Sequence, residues 1–260
     1  MTRKVALSNQ KGGVGKTTTA INLASAFAET GRSVLVIDLD PQGNASTGLG
    51  ISVEGRATTS MDFLTGTATY DDLVRSSATP GVHVIPSNMD LASADVELAG
   101  ERDRTGLLRR AFGAAEFDQF DDILIDCPPS LSIVTLNALV AADTVLVPLQ
   151  AEFFALEGLS QLLRTVKEVR RGPNPDLRIE GILLTMVDTR NRLSKQVESD
   201  ARDTLGELVF QTMIPRNVRI GEAPSYSQSV LEYDPKSRGS QAYRELAAEI
   251  LKRRESEVRK

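Results

Sequence analysis

The chain has 260 residues, of which 41% are hydrophobic, and a formal net charge of −5. This size is enough for one α/β domain with a buried core, and no apolar run reaches the ~18 residues that a membrane-spanning helix needs. A single cysteine, Cys127, excludes an intramolecular disulfide, indicates a reducing compartment, and with the single histidine argues against a zinc site. The acidic net charge argues against nucleic-acid binding unless basic residues form a local patch.

The first predicted strand, Lys4–Ser8, leads into a glycine-rich loop and a helix, and we expect no signal peptide or extra DNA-binding domain before it. The glycines let successive backbone N–H groups converge on phosphate oxygens, and the positive end of the helix faces the same anion. Lys16 is predicted to neutralise the β- and γ-phosphates, and the Thr17 hydroxyl to ligate Mg²⁺. The predicted nucleotide-binding loop is Lys11, Gly12, Gly13, Val14, Gly15, Lys16, Thr17 and Thr18.

Two later strands end in aspartates that suit the same site. Asp38 and Asp40 follow the second predicted strand, and Asp126 ends a short apolar strand. A strand-end aspartate is often only a turn residue. Beside a phosphate-binding loop, however, a carboxylate can hold Mg²⁺ through water or orient the attacking water. We predict that Asp126 acts on Mg²⁺ in this way, and that the turn Pro128-Pro129 stiffens the segment after it.

The apolar runs along the chain are continuous and rich in β-branched residues, which indicates strands buried on both faces, as in a parallel sheet. Helical stripes lie between them, at 20–28 after the glycine loop and at 156–166. These patterns predict one α/β domain over residues 1–260, with a doubly wound, mostly parallel sheet. The predicted strands are Lys4–Ser8, Ser33–Asp38, Val82–Pro86, Ile123–Asp126, Thr144–Leu149, Ile179–Met186 and Leu208–Ile214.

The C-terminal segment is amphipathic, with a narrow apolar stripe of Ala242, Leu246, Ala247, Ile250 and Leu251. A membrane-binding helix would present bulkier apolar residues beside its lysines. The simpler prediction is a helix docked on the sheet, with the cations of Lys252-Arg253-Arg254 at its negative end.

The loop departs from the strict G-x-x-x-x-G-K-[ST] pattern, because Gln10 stands where the first glycine belongs, and it adds a second lysine, Lys11. Loops with two lysines are typical of the deviant Walker A class of P-loop NTPases. Further segments resemble the short chromosomal members of the ParA family of DNA-partitioning ATPases, from about Val5 to about Leu251. These segments are Val34–Asn44, Ile123–Pro129, Glu157–Leu159, Leu183–Arg190, Ile214–Arg219 and Glu222–Pro224.

The resemblance implies roles that the residues alone do not establish. Lys11 would reach across a dimer interface to the partner's nucleotide and add positive charge near the transferred phosphoryl group, as an arginine finger does. Asp40 would orient the attacking water, and Asp38 would join the network of Mg²⁺ and the loop lysine. The resemblance also implies adenine contacts by Pro215 and Asn217. The candidates for DNA contacts are Arg190, Arg192, Lys195, Arg216 and Arg219, with Arg190 and Arg219 the best supported.

The predicted function is a cytoplasmic, nucleoid-associated ATPase that uses ATP and Mg²⁺. An ATP-bound homodimer would bind duplex DNA without sequence preference, and slow hydrolysis, stimulated by a ParB-type centromere-binding protein, would release it. Three alternatives stay open: a MinD-like membrane ATPase, a metabolic ligase of the dethiobiotin-synthetase kind, and an orphan ParA that positions another cargo. The weak C-terminal stripe argues against the first, so no membrane partner is expected.

Overall fold

The structure, a computed structural model, describes residues 2–113, 115–152, 155–188 and 190–258, without the side chains of residues 115, 155–157 and 258. Its strands are β1 (Arg3–Leu7), β2 (Val34–Asp38), β3 (Arg75–Ser76), β4 (Val82–Ile85), β5 (Asp122–Asp126), β6 (Thr144–Gln150) and β7 (Arg178–Thr185). They form one sheet in the order β3-β4-β2-β5-β1-β6-β7. All neighbouring strands are parallel except β3 and β4, which pair antiparallel at one edge.

Helices cover both faces of this sheet. Within the described residues they are α1 (Lys16–Glu29), α2 (Asn44–Gly48), α3 (Ser60–Thr65), α4 (Tyr70–Leu73), α5 (Ala94–Glu97), α6 (Leu107–Ala111), α7 (Ile133–Ala141), α8 (Ala155–Arg171), α9 (Arg192–Leu205), α10 (Val218–Glu222), α11 (Val230–Tyr233) and α12 (Arg238–Val258). Short 3₁₀ helices lie at Val53–Gly55, Met89–Ser93, Ala115–Gln119, Gly206–Leu208 and Ala223–Tyr226.

Each central strand is buried on both faces, which confirms the predicted doubly wound α/β class. In β1, Val5 and Leu7 belong to the hydrophobic cluster that includes α1 and α12, whereas Ala6 belongs to the cluster on the opposite face with α7 and α8. Alternate residues of a strand point to opposite faces, so one short run supplies both cores. None of the described helices has the length and apolar content to span a membrane.

The predicted strand Leu208–Ile214 was wrong. The segment runs beside β7 and makes only isolated parallel bridges, from Ile182 to Val209 and from Val187 to Pro215. The backbone N–H groups of Gln211 and Thr212 donate instead to the carboxylate of Glu249 on α12, at 2.9 and 2.8 Å. Because a side chain takes these donors, the regular ladder is interrupted. Strand β3 was not predicted, and the other six predicted strands are present.

The predicted docking of the C-terminal helix is confirmed. Leu246 and Ile250 of α12 are buried in the same cluster as Leu23 and Phe27 of α1. The predicted place of the cations Lys252-Arg253-Arg254 at the end of the helix was wrong, because α12 continues to Val258 and its last turn carries no basic residue. Arg254 instead donates to Asp122 at 2.6 Å and to Glu180 at 2.7 Å. The helix therefore lies on the sheet with its apolar stripe covered.

Candidate functional site

The candidate residues meet at the carboxyl edge of the sheet. In the parallel register Asp126 at the end of β5 lies opposite Leu7 at the end of β1 and opposite Asp38 at the end of β2. The chain leaves β1 at this edge, forms the glycine loop and enters α1. Ligands of open parallel sheets bind in crevices outside the carboxyl ends of the strands.

The glycine loop delivers the amino end of α1 to this edge. Gly13 and Gly15 have φ angles of 73° and 86°, in the left-handed region that other residues rarely adopt. Gly15 precedes the first helical residue, and no side chain caps the helix there. The first N–H groups of a helix have no partner within the helix and carry its positive dipole end. This arrangement suits an anion.

Lys16 brings a buried ammonium group to the same place. The residue is 6% exposed, and its Nζ donates to the backbone carbonyl of Lys11 at 3.2 Å. Burial lowers the pKa of Lys16, while the nearby carboxylates of Asp126 and Asp40 raise it. A buried cation that donates to one neutral acceptor has further donors for phosphate oxygens.

Asp126 is fully buried, and neither of its carboxylate oxygens has a hydrogen-bond partner in the described part of the chain. Burial raises its pKa well above the usual range, and the neighbouring Asp38 raises it further. The Thr17 hydroxyl and the Lys16 ammonium lower it, so both face this carboxylate. An unpartnered carboxylate beside a hydroxyl provides the oxygen ligands that Mg²⁺ prefers.

The described residues contain no group of three or more His, Cys, Asp or Glu side chains that could enclose a metal ion by itself. Mg²⁺ is usually held by one or two protein oxygens together with waters and substrate phosphates. Thr17 and Asp126 therefore fit a cation that binds with a nucleotide rather than a permanent metal centre.

Asp38 has different contacts from those implied by the resemblance. Its carboxylate accepts hydrogen bonds from the backbone N–H and hydroxyl of Ser46, at 2.8 and 2.7 Å, and from the Asp40 N–H at 3.1 Å. Burial raises its pKa to about 6, although the bonds from Ser46 and Asp40 lower it. In this structure Asp38 fixes the chain that follows β2, and the described side chains of the two loop lysines donate to Glu152 and to the Lys11 carbonyl rather than to Asp38.

Asp40 lies beyond the end of β2, in a turn where strand alternation no longer orients side chains. Its carboxylate accepts the N–H of Gln42 at 3.0 Å, and the N–H of Gly43 donates to the Asp40 carbonyl at 2.9 Å. The charge of Asp40 also acts on Lys16. The turn thus holds a partly exposed carboxylate beside the buried lysine.

Lys11 is paired within its own chain. Its Nζ donates to Glu152 Oε2 at 2.9 Å, and the two side chains are 39% and 47% exposed. Glu152 follows β6, and sequence reasoning missed it because nothing local links it to the loop. The side chain of Glu157 and residue 189, both within the quoted family segments, lie outside the described residues.

A cavity of about 380 Å³ adjoins the glycine loop. Pro215 and Asn217, the candidates for base contacts, line it with Gly15, Thr18 and Tyr243. Asn217 also begins α10, because its side chain accepts the Arg219 N–H at 2.8 Å. Tyr243 comes from α12 and was not predicted. The loop, the late segment and the C-terminal helix together form a pocket of the size and apolar character that a base needs.

The candidates for DNA contacts are dispersed and partly paired. Arg190 is 89% exposed and donates to both carboxylate oxygens of Asp188 at 3.0 Å, which lowers the pKa of Asp188 to about 2. Arg219 pairs with Glu222 at 2.9 Å and with Asp234 at 3.4 Å. Exposed pairs of this kind contribute little stability, so they hold both arginines only weakly. The other candidates are Arg192 and Lys195 on α9 and Arg216 beside the cavity.

Cys127 is buried directly after Asp126, and burial raises the pKa of its thiol. It behaves as the small buried hydrophobic residue that was predicted. Its N–H donates to the Leu7 carbonyl at 3.2 Å, which continues the β1–β5 pairing into the loop before Pro128-Pro129.

Several known proteins are similar to this chain in sequence. A family model described as an AAA domain matches residues 2–179. The chromosome partitioning protein ParA of Caulobacter vibrioides is 53% identical over 252 residues, covering 96% of this chain and 94% of the relative. The sporulation initiation inhibitor protein Soj of Bacillus subtilis is 46% identical, covering 96% and 98%.

Solved structures have the same fold. One titled cobyrinic acid a,c-diamide synthase from Mycobacterium smegmatis, with bound ADP and magnesium, has a TM-score of 0.86 and 39% identity, covering 98% of this chain and 96% of that one. The septum site-determining protein MinD of Pyrococcus horikoshii, complexed with Mg-ADP, has a TM-score of 0.79 and 28% identity, covering 96% of each chain.

Proposed function

Because this chain belongs to the ParA family of chromosome-partitioning ATPases, we propose that it is an ATP-dependent switch in DNA partitioning, built as one domain over residues 1–260. The observation that carries this proposal is the meeting of a buried lysine, an unpartnered buried carboxylate and the uncapped amino end of α1 at one edge of the sheet. Each of these groups is costly to bury alone, and a magnesium-bound nucleotide would satisfy all three.

In this proposal the loop 11–18 binds the phosphates of ATP, and Pro215 and Asn217 contact the adenine. Lys16 offsets the phosphate charge, and Thr17 and Asp126 hold Mg²⁺, Asp126 through a bound water. The ion would neutralise charge that develops on the phosphates. Similar proteins solved with ADP and magnesium support the choice of ligand. Asp38 holds the segment after β2 in place by accepting a hydrogen bond from the Ser46 N–H.

Hydrolysis would require a positioned water, and the partly exposed carboxylate of Asp40 would orient it. In an ATP-bound dimer Lys11 would leave Glu152 and reach the nucleotide of the partner subunit, where its charge would stabilise the transferred phosphoryl group. The intrinsic turnover would be slow, because the nucleotide of a single chain lacks the Lys11 that the partner subunit would supply. A ParB-type centromere-binding protein would accelerate it.

The DNA surface would comprise Arg190, Arg219, Lys195 and Arg216, with Arg192 beside them. A chain of net charge −5 does not attract DNA as a whole. Dimerisation would double the local patch, so duplex binding without sequence preference would depend on ATP and fall steeply with salt. The lone cysteine and the names of the relatives support a cytoplasmic location at the nucleoid.

Two alternatives have some support. A MinD-like positioning ATPase is suggested by the fold of the MinD structure, but the apolar stripe of α12 is covered by α1 and is not free for a membrane. A metabolic amide synthase is suggested by the name of a 39%-identical structure, whereas relatives at 47–53% identity are named chromosome partitioning proteins. An orphan ParA that positions another cargo would share the same ATP switch.

The test is retention of the protein on random-sequence duplex DNA with ATP and with ADP, at low and moderate salt. We expect retention with ATP alone, and its loss in Arg190→Glu and Arg219→Glu while both variants still dimerise with ATP. Exposed Lys252→Glu, on the far end of α12, is the matched control. If the parent shows no ATP-dependent retention at low salt, the DNA-partitioning proposal fails, and liposome co-sedimentation then tests the MinD-like alternative.

A further inference from the structure

Arg56 is a buried arginine whose guanidinium meets only neutral acceptors among the described residues. It is 7% exposed and follows the 3₁₀ helix Val53–Gly55. It donates to the carbonyl of Ser87 at 3.2 Å, to Thr47 Oγ1 at 2.6 Å and to the carbonyl of Ile51 at 2.9 Å, and its buried Nε has no partner. Burial of a cation without a counter-ion is costly. The hydrogen bonds of the Arg56 guanidinium instead join the segments that contain Thr47, Ile51 and Ser87.

The guanidinium of Arg56 also lies against the turn that carries Asp40. Gly43 closes this turn and has a φ of 63°. A Cβ at Gly43 would overlap Arg56 Nη1 and lie 2.9 Å from the Ser87 carbonyl. The guanidinium therefore occupies the space beside the backbone of Gly43. Both the left-handed φ and this close approach require glycine here.

Arg56 and Asp38 stand at the two ends of one buried chain of hydrogen bonds. Ser46 Oγ donates to Asp38 Oδ2 at 2.7 Å, and the Ser87 N–H donates to Ser46 Oγ at 3.0 Å. The Ser87 carbonyl then accepts from Arg56, which also donates to Thr47 of α2. The hydrogen bonds within such a chain polarise and strengthen one another in a low-dielectric interior. An anion at one end and a cation at the other thus hold the start of α2 and the end of β4 together.

We propose that Arg56 is a positioning residue for hydrolysis, which holds the turn from Asp40 to Gly43 and thereby the orientation of the Asp40 carboxylate. This inference rests on the role of Asp40 in the proposed function. The link passes through the backbone of the turn, because the guanidinium lies beside Gly43 and the Asp40 carboxylate accepts the N–H of Gln42 within the same turn at 3.0 Å. A lysine carries its three donors on one nitrogen, whereas Arg56 donates from two separate nitrogens of a planar guanidinium, Nη1 and Nη2.

The experiment compares Arg56→Met and Arg56→Lys with the parent in steady-state ATPase assays. Displacement of the turn should lower kcat about ten- to a hundredfold, as expected for a misplacement near 1 Å, and leave KM for ATP unchanged because the phosphate loop is intact. Arg75→Met is the matched control, since Arg75 also donates to a carbonyl and a threonine hydroxyl, those of Asp71 and Thr58. It should keep the parental kcat.

A double-mutant cycle separates positioning from general stability. In the Asp40→Ala background, Arg56→Met should cause no further loss of kcat, because its effect passes through Asp40. If Arg56→Met does not fold, Thr47→Val removes one acceptor and should lower kcat about tenfold. If Asp40→Ala hydrolyses ATP slowly while the folded Arg56 variants or Thr47→Val keep the parental kcat, the role of Arg56 is refuted and the proposed function is not. Parental kcat in Asp40→Ala removes Asp40 from the proposed function as well.

Discussion

Lys11 should leave Glu152 readily, because the ion pair between them is weak. Both side chains are close to half exposed, and their 2.9 Å contact lies in a solvated region. Exposed pairs contribute about 0.2–1 kcal/mol, which is about a 1.4- to fivefold change in an equilibrium constant. Glu152→Gln should therefore strengthen ATP-dependent dimerisation by about fivefold at most. Lys11→Ala should weaken it by about tenfold or more, because it removes a charge-assisted bond to the partner's nucleotide.

The assay is sedimentation equilibrium with ATP and with ADP, under conditions that prevent hydrolysis. Lys252→Ala is the control, since Lys252 is exposed on α12. Monomer affinity for ATP should change little in all three variants, because Lys16 is untouched. A gain well above tenfold in Glu152→Gln would show that the pair restrains Lys11 strongly, contrary to the exposure argument. Parental dimerisation in Lys11→Ala would show that Lys11 is an ordinary loop lysine.

Three further predictions concern the buried charges. Lys16→Ala should lose ATP binding in an equilibrium titration, because the phosphates lose their cation; near-normal affinity would contradict the loop assignment. Asp126→Asn should raise the unfolding free energy of the nucleotide-free protein by about 1–3 kcal/mol, because an unpartnered buried charge is removed. Burial raises the pKa of Asp126 in the folded protein above its value in the unfolded chain. The gain in unfolding free energy should therefore be largest at alkaline pH, and it should shrink at acid pH, where the parental carboxyl is protonated. Urea titrations at several pH values can check this. Arg254→Met should lower the unfolding free energy by about 3 kcal/mol, because Asp122 and Glu180 lose a buried partner. An unfolding free energy equal to that of the parent in a urea titration would refute this prediction.

The loop and the central strands could be predicted from sequence because their signals are local. The glycines, Lys16 and Thr17 are contiguous, and the strands are continuous apolar runs with turn residues between them. Parallel topology then places the ends of β1, β2 and β5 at one edge without further information. The meeting of Lys16 and Asp126 follows from these local patterns.

Contacts between distant segments could not be predicted in the same way. Lys11 and Glu152 are 141 residues apart, and Tyr243 enters the cavity beside Pro215 and Asn217 from the last helix. Arg56 lies in a polar stretch without helical or strand periodicity, so its burial has no sequence signal. The segment 208–214 has the composition of a strand, but Glu249 takes two of its backbone donors. In each case a tertiary contact overrides the local pattern.

The central claim, that hydrolysis releases an ATP-bound dimer from DNA, is tested most directly by the lifetime of Asp40→Ala on random-sequence duplex DNA. The protein is loaded with ATP, free ATP is removed, and dissociation is followed for the variant and the parent. We predict that Asp40→Ala binds as well as the parent and dissociates far more slowly, because the carboxylate that orients water is gone while Lys16 and Thr17 still bind the nucleotide. Equal dissociation rates, or a variant that never binds, would contradict the switch.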